Sequence, residues 1–254
     1  MGIRFIANHP AAFITEKKAL IVAELHLGIE YELFKKGITV PPQRETFQKT
    51  IDELILLTGA KKLILLGDIK HKVPGMSIRE EREIPQFLEH LNERIKTIIV
   101  KGNHDDRIEN IVPKGIKIYG SHGFKLGRYG FFHGQAWPSK ALIQCDYLFT
   151  AHIHPMLEFK DKFGYRNTEQ IWIKGILNKE KVKKKYKIEK TGMLRTIILP
   201  VFNKFLGGVA VNKILEKEMI GPIMANKFFD LMESKLYLLD GTFLGSFKQI
   251  KTSF

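Results

Sequence analysis

Cysteine is nearly absent from this 254-residue chain, which carries a single thiol at Cys145. One cysteine excludes an internal disulfide framework and is typical of a reducing cytoplasm, where we expect the protein to act. Uninterrupted apolar runs of roughly 18 residues are also missing, so we expect no membrane-spanning helix and no membrane partner. Met1 to Phe13 lack the basic start and apolar core of a secretory signal.

Acidic residues are scarce relative to basic ones. The chain has 41 Lys and Arg against 27 Asp and Glu, a net charge of +14. That balance favours a polyanionic partner such as nucleic acid, although basic chains without such a partner are also common. With 44% apolar and 27% charged residues, the composition is typical of a folded globular protein and excludes intrinsic disorder.

Short apolar runs alternate with amphipathic segments in the first part of the chain. Runs at 19–23, 63–66 and 98–100 predict buried strands, and an apolar residue recurs at helical spacing from 47 to 55. The runs end in Asp, Asn, Glu or His, usually beside Gly. Since the carboxyl ends of strands form the ligand crevice in layered α/β folds, one convergent site is predicted.

The later part of the chain changes character. Strands are predicted at 171–173, 193–199 and 235–239. The Lys-rich segment 179–190 is interpreted as a hairpin tip or exposed loop, and 226–232 as a short helix.

The polar residues at the strand ends are carboxylates, one amide and imidazoles, without a thiolate. In chain order they are Glu24-Leu25-His26, Gly67-Asp68, Gly102-Asn103-His104-Asp105, His133-Gly134 and His152-Ile153-His154. Oxygen and nitrogen ligands of this kind suit Mn, Fe or Zn. A spacing of two residues places both side chains on the same side of an extended segment, so each such pair can serve one metal or two adjacent metals. Asp68 is the natural candidate for a bridging carboxylate.

These motifs, in this order across about 130 residues, resemble the calcineurin-like binuclear metallophosphoesterases. GNHD at 102–105 is the most specific of them, and AHIH at 151–154 closes the series. The resemblance implies a four-layer α/β/β/α sandwich with two mixed β-sheets. It also implies a single domain over 1–254, with the motif core at 19–155 and completing strands at 156–254.

The resemblance implies a role for each motif residue. Glu24, His26, Asp68 and His154 would hold the first metal, and Asp68, Asn103, His133 and His152 the second. A hydroxide bridging the two metals would attack phosphorus. His104 would act at the leaving group, and Asp105 would orient His104. His71, three residues past Asp68, faces either the site and its substrate or solvent.

Two positions depart from the family pattern. Ala151 replaces a glycine, a change between small residues, and Glu24 replaces an aspartate. Because the extra methylene of Glu24 moves the carboxylate, we expect the first metal to be the weaker of the two.

A narrower resemblance rests on AELHLG (23–28), GDIKH (67–71), LPVFNKFLGG (199–208) and DGTFLG (240–245). These segments resemble a small single-domain branch related to DNA end-processing nuclease subunits. Members of that branch are linked to helicases or a DNA ligase in repair, which implies nucleic acid and such a protein as partners. The sequence does not indicate an oligomeric state.

Three functions agree with these residues. The first is a Mn²⁺-dependent phosphodiesterase acting as a nuclease on single-stranded DNA or similar nucleic acid. The second is a phosphodiesterase for cyclic nucleotides or small nucleotide-derived diesters. The third is a metal-binding scaffold without catalysis. It is disfavoured because His104 and the implied ligands of the second metal are all present, namely Asp68, Asn103, His133 and His152. Trp137, Tyr165 and Cys145 are predicted to pack in the fold.

Overall fold

The computed structural model describes residues 2–213 and 220–253, and its core is a pair of facing β-sheets. The first sheet follows chain order: β1 (Ile3–Phe5), β2 (Ala11–Ile14), β3 (Ala19–Val22), β4 (Lys62–Leu66), β5 (Lys96–Val100) and β6 (Lys117–Tyr119). β2 pairs antiparallel with β1 and β3, whereas β3 to β6 run parallel. The carboxyl ends of β3, β4 and β5 therefore meet at one edge.

The second sheet is also mixed. Its strands are β7 (Phe124–Leu126), β8 (Tyr129–Phe131), β9 (Tyr147–Thr150), β10 (Pro155–Lys160), β11 (Arg166–Ile176), β12 (Arg195–Ile198), β13 (Val209–Ala210), β14 (Lys235–Leu238) and β15 (Phe243–Ser246). The order is β13-β10-β11-β12-β9-β8-β7, and β14 joins β11 to β15. β8, β9 and β12 run parallel, while β10 and β11 form an antiparallel hairpin. Strands from 156–254 thus extend the sheet that contains β8 and β9.

Helices cover the outer faces. They are α1 (Ile29–Lys35), α2 (Gln43–Thr58), α3 (Ile78–Arg94), α4 (Lys179–Tyr186), α5 (Pro222–Ala225) and α6 (Phe247–Ser253). α3 begins at a capping box, in which the Ser77 side chain accepts from the Glu80 N–H and the Glu80 carboxylate accepts from the Ser77 N–H. No helix in the described residues is long and apolar enough to cross a bilayer.

Alternate residues of the first sheet face two different cores. Leu20 and Leu63 pack with α2 and α3, whereas Ile21 and Ile64 face the second sheet. Burial of each such side chain stabilises the fold by about 1.5–3 kcal/mol. α4 and α6 cover the far face of the second sheet through Val182 and Phe247. The resulting α/β/β/α order confirms the predicted sandwich.

Two predictions for the later segments are wrong. The Lys-rich segment begins with helix α4 instead of forming a hairpin tip or loop, because Asn178 caps it by accepting the Lys181 N–H at 2.9 Å and Val182 is buried beneath it. The short helix expected at 226–232 lies earlier, at Pro222–Ala225. Proline at its first turn explains that start, because its fixed φ suits a helix N-terminus.

Of the three residues predicted to pack in the fold, two do so and one does not. Trp137 packs edge-on against Phe228 with ring centroids 4.8 Å apart, and Cys145 is buried, as expected. Tyr165 does not pack in the fold: it is 71% exposed at the tip of the β10–β11 hairpin. Asp161 accepts the N–H groups of Phe163 and Tyr165 there, which closes the turn and leaves both rings outside.

Candidate metal centre

The predicted ligands converge at the carboxyl ends of five strands. Glu24 and His26 follow β3, Asp68 follows β4, Asn103 follows β5, His133 follows β8, and His152 and His154 follow β9. Parallel strands within each sheet bring these ends to one edge, and the face-to-face packing of the sheets brings the two edges together.

Two groups of possible ligand atoms form at this edge. Glu24, His26 and His154 make one group, and Asp68, His133 and His152 make the other, with the atoms of each group within 4.8 Å of one another. This division agrees with the two metal positions implied by the sequence, and their assignment as ligands stays a prediction. Asn103, whose amide oxygen is the remaining predicted ligand, is exposed after β5.

Backbone carbonyls orient two of these histidines. The Nδ1 of His133 lies 3.0 Å from the Leu66 carbonyl oxygen, and that of His154 lies 3.3 Å from the Gly207 carbonyl oxygen. Since a carbonyl can only accept, we assign the ring proton to Nδ1 in both. Each Nε2 then faces the carboxylates, and it would bind a metal through its lone pair after losing any proton that it carries.

The donor set fits divalent cations. The Nε2 of His133 is fully buried, and among the described residues it has no hydrogen-bond partner. It lies 3.3 Å from Asp68 Oδ2 and 3.6 Å from Glu24 Oε1. A buried polar atom without a partner is costly, and a bound metal would satisfy it.

The longer side chain of Glu24 reaches both groups. Its Oε2 lies 3.0 Å from His26 Nε2 and 2.8 Å from His154 Nε2. Its Oε1 accepts the His152 N–H at 2.6 Å and faces His133. The carboxylate is therefore placed between the two groups, a position that the sequence assigned to Asp68 alone.

The pKa values of these residues reflect their crowding. Burial alone would raise the pKa of Glu24, but the charge on His133 and hydrogen bonds from His154 and His26 hold it well below its ordinary value. Burial lowers the pKa of His133, yet Glu24 and Asp68 outweigh it and raise that pKa to about 10. Burial, followed by the charge on His133, lowers the pKa of His152 to about 4. The centre thus holds ionised carboxylates and a proton that a cation would replace.

Strained backbone and two glycines set this geometry. Glu24, His26, Asp68, His152 and His154 all have φ between 42° and 71°, a region that non-glycine residues seldom occupy. A Cβ on Gly67 would lie 2.1 Å from His133 Nδ1, and one on Gly102 would lie 2.0 Å from Asp68 Oδ1. These contacts explain why glycine precedes Asp68 and Asn103. Ala151 is buried and lies outside the left-handed region, so its methyl group is tolerated.

His104 lies beside the first group, with its ring centroid 4.6 Å from that of His26. Its Nδ1 hydrogen-bonds to the backbone carbonyl of His71, and its N–H donates to Asp68 Oδ1 at 2.8 Å. The carbonyl orients the imidazole and leaves Nε2 available for proton transfer. That placement agrees with the expected role of His104, which stays a prediction.

Asp105 has different partners from those expected. Its two buried carboxylate oxygens accept the N–H groups of Asp68, Ile69, Lys70 and Gly102 at 2.8–3.3 Å. Burial, followed by the nearby Asp68 charge, raises the pKa of Asp105 to about 6. The carboxylate thus ties the loop after β4 to the loop after β5. We correct its predicted role from orienting His104 to holding the loop that carries Asp68.

His71 faces the centre. Its Nδ1 lies 3.2 Å from His26 Nδ1, and its Nε2 lies 2.7 Å from Glu32 Oε2. One set of tautomers satisfies both contacts: His26 donates to His71, and His71 donates to the Glu32 carboxylate. In that tautomer His26 Nε2 would be free to bind a metal, whereas a proton on Nε2 instead lets it donate to Glu24 Oε2 at 3.0 Å. His71, His26 and His104 also form a third group of close ring nitrogens.

Several supporting residues were missed by the sequence interpretation. The buried Lys70 ammonium donates to the carbonyls of Lys72 and Gly75 and to Asp106 Oδ1 at 2.6–2.7 Å. Glu32 carries no motif, and only its contact with His71 reveals it. The adjacent GDIK and NHDD strings contained Lys70 and Asp106, but nothing local indicated that they pair.

The fold has a counterpart among solved structures. The crystal structure of Pseudomonas putida nuclease MPE aligns with a TM-score of 0.55 and 20% identity, covering 91% of this chain and 89% of that one. YfcE, a phosphoesterase from E. coli, aligns with a TM-score of 0.36 and 20% identity over 56% of this chain and 73% of that one. No curated protein sequence matches significantly.

The sequence profile of the calcineurin-like phosphoesterase family matches residues 17–198, which include every predicted ligand. Families of this kind bind two divalent metals, in agreement with the two ligand groups. The chain therefore belongs to the calcineurin-like phosphoesterase family and is a metal-dependent phosphoesterase.

Proposed function

We propose that the protein is a phosphodiesterase that cleaves nucleic acid, with single-stranded DNA as its first substrate. The main observation behind the proposal is the position of His104. On one side it lies against His26 of the first ligand group, and on the other it lines a cleft bordered by Lys35 and Lys72. The leaving oxygen of a polynucleotide carries a nucleoside and further phosphates, and this cleft provides cationic space for them. The Pseudomonas putida protein with this fold is a nuclease, which makes polynucleotides the first substrates to test.

We assign metal binding, proton donation and positioning to different residues of the chain. Glu24, His26, Asp68, Asn103, His133, His152 and His154 would hold the metals, which supply Lewis acidity and lower the pKa of water. His104, oriented by the His71 carbonyl, donates a proton from Nε2 to the departing oxygen. Asp105 keeps Asp68 in position by binding the N–H groups of its loop.

Manganese is the metal that we propose, with iron and zinc as alternatives. The groups contain carboxylates and imidazoles, and the chain's only thiol, Cys145, is buried elsewhere. Carboxylate oxygen favours harder ions, whereas imidazole suits Zn and Fe as well, so mixed ligation suits Mn²⁺.

Charge distribution favours a polynucleotide over a small diester. The net charge is +14, but part of it lies away from the site, because the Lys-rich helix α4 covers the outer face of the second sheet. Lys35 and Lys72 are the cations that border the cleft beside His104. Contacts to phosphates away from the cleaved bond make binding weaken steeply with salt, whereas a small substrate gives little slope.

The decisive assay supplies Mn²⁺ with labelled single-stranded DNA, duplex DNA, RNA and a generic aryl phosphodiester. We expect cleavage of single-stranded DNA, with kcat/KM falling as salt rises. His104→Ala and Asn103→Ala should lower it strongly. Hydrolysis of the aryl diester without cleavage of any polynucleotide would favour small diesters instead. Metal binding without hydrolysis of any substrate would indicate a scaffold.

Partner and compartment belong to the same proposal. A nuclease of this branch would act with a helicase or a ligase during DNA repair, in the cytoplasm. The single buried cysteine agrees with that compartment. Copurification of a helicase or ligase with the tagged protein tests the association. Nuclease treatment should reduce the copurification if DNA bridges the two proteins.

A further inference from the structure

A cavity of about 240 Å³ opens directly beside His104. One wall is helix α1, which contributes Tyr31 and Lys35, and the other is the segment after β4, which contributes His71, Lys72 and Val73. Drug-sized ligands usually occupy pockets of about 300–1,000 Å³, so this cavity suits a single nucleoside rather than a longer segment.

The cavity combines an aromatic ring with apolar and cationic groups. Tyr31 is 46% exposed and Val73 is 49% exposed, so both present apolar surface to a ligand. The Lys35 ammonium lies 4.2 Å from the centre of the Tyr31 ring, which places a cation beside the ring. A ring of this kind is a stacking surface for a nucleobase.

The carboxylates in the walls are already occupied. Glu32 accepts from Lys36 and His71, and Glu80 accepts the N–H groups of His71, Lys72 and Ser77. In the described part of the chain, neither Lys35 nor Lys72 forms an ion pair with a carboxylate. Glu80 keeps its negative charge because those N–H groups are neutral, but Lys35, Lys72 and the Lys36 that pairs with Glu32 outnumber the two carboxylates by one. The cavity therefore has a small positive excess, which suits a ligand carrying phosphate.

The cavity lies next to His104, and this position indicates which side of the substrate it would bind. We propose that it binds the nucleoside attached to the departing oxygen, with its base stacked on Tyr31 and its next phosphate near Lys35 or Lys72. This inference rests on the proposed function, because His104 gives its proton to that oxygen. Tyr31 then positions the nucleoside on the leaving side, without taking part in the chemistry.

An oligonucleotide with one abasic position tests the assignment. Cleavage at every bond of a labelled single-stranded DNA is measured with Mn²⁺, with and without that position. We expect loss of the base to slow cleavage by at least about fivefold only at the bond whose leaving side carries the abasic nucleotide. The bond on the other side of that nucleotide should be nearly unaffected.

Tyr31→Ala should remove this asymmetry and raise KM for the intact strand more than it lowers kcat. Phe34→Ala is the matched control, since Phe34 lies on the same helix, is 63% exposed and is not part of the cavity wall. Phe34→Ala should keep the wild-type asymmetry and KM, and hydrolysis of dimethyl phosphate by the wild type measures the chemistry without a base on either oxygen.

The outcomes separate the two proposals. Equal slowing at both neighbouring bonds, or an asymmetry that survives Tyr31→Ala, would overturn the cavity assignment while leaving the nuclease function intact. Absence of oligonucleotide cleavage by the wild type, with the methyl or aryl diester still hydrolysed, would overturn both. Slowing confined to the leaving side and lost in Tyr31→Ala alone would support both.

Discussion

The Glu24 carboxylate lies between the two ligand groups, and its Oε1 atom is 3.6 Å from the Nε2 atom of His133. Its other oxygen is 2.8 Å from His154 Nε2. One carboxylate thus contacts a histidine from each group. The extra methylene relative to aspartate gives it that reach, so one residue contacts both predicted metal positions.

Glu24→Asp withdraws the carboxylate by about one bond length, roughly 1.5 Å. We expect Mn²⁺ affinity to fall about 10- to 100-fold at one or both positions, with a matching loss of turnover. Calorimetric titration measures both steps, and Glu109→Asp on the surface is the control. Unchanged affinity and turnover would show that the methylene is unimportant.

The weaker binding step should belong to the group of Glu24, His26 and His154. His154→Ala should therefore remove the weaker of two Mn²⁺ binding steps and leave the tighter one measurable. Titration of that variant beside the wild type checks the assignment. Loss of the tighter step would reverse it.

His71 and Glu32 should support metal binding without touching the metal. Glu32→Gln removes the charged acceptor of the His71 Nε2–H and weakens the contact that orients His26. We expect about a tenfold loss of Mn²⁺ affinity and little change in melting temperature. Glu45→Gln is the control on the exposed surface. An equal effect from Glu45→Gln would attribute the loss to charge alone.

Substitution of Asp105 should mainly lower stability, whereas substitution of His104 should mainly lower turnover. Asp105→Ala leaves four backbone N–H groups without their acceptor, which costs at least about 3 kcal/mol of unfolding free energy. His104→Ala should leave stability nearly unchanged and abolish most turnover. Urea unfolding and turnover of both variants measure the contrast. A stable Asp105→Ala protein with His104-like kinetics would restore the role predicted from the sequence.

Metal binding should release a proton from His133. Its pKa is raised to about 10 in the metal-free protein, so the ring is protonated at neutral pH and must lose that proton to ligate. Affinity for Mn²⁺ should then fall as pH falls, by up to about tenfold per pH unit below 10 for one released proton. Calorimetry in buffers of different ionisation enthalpy counts the proton. An apparent enthalpy independent of buffer would contradict this.

Gly67→Ala and Gly37→Ala form a matched pair. Both glycines have positive φ, +84° and +81°, so each alanine costs backbone strain of about 1 kcal/mol or more. Only at Gly67 would the new Cβ collide with His133, whereas nothing lies within 4 Å at Gly37. We expect loss of Mn²⁺ binding in Gly67→Ala alone. Equal metal binding by both would show that His133 can move aside.

The sequence by itself determined where the strands of the motif core lie along the chain, the polar residues at their ends, and the family. The reason is local: each apolar run and the ligand residues that follow it are contiguous, and their types limit the chemistry. Two local predictions failed at 179–190 and 226–232, where capping by Asn178 and a helix start at Pro222 set the boundaries.

Only the tertiary structure decided how these residues support one another. The carbonyl that orients His104 is 33 residues away, and the N–H groups bound by Asp105 lie up to 37 residues away. Glu24 contacts the backbone of His152 across 128 residues. Such pairings depend on the path of the chain through two sheets, because hydrogen bonds act over about 3 Å in space and take no account of sequence separation.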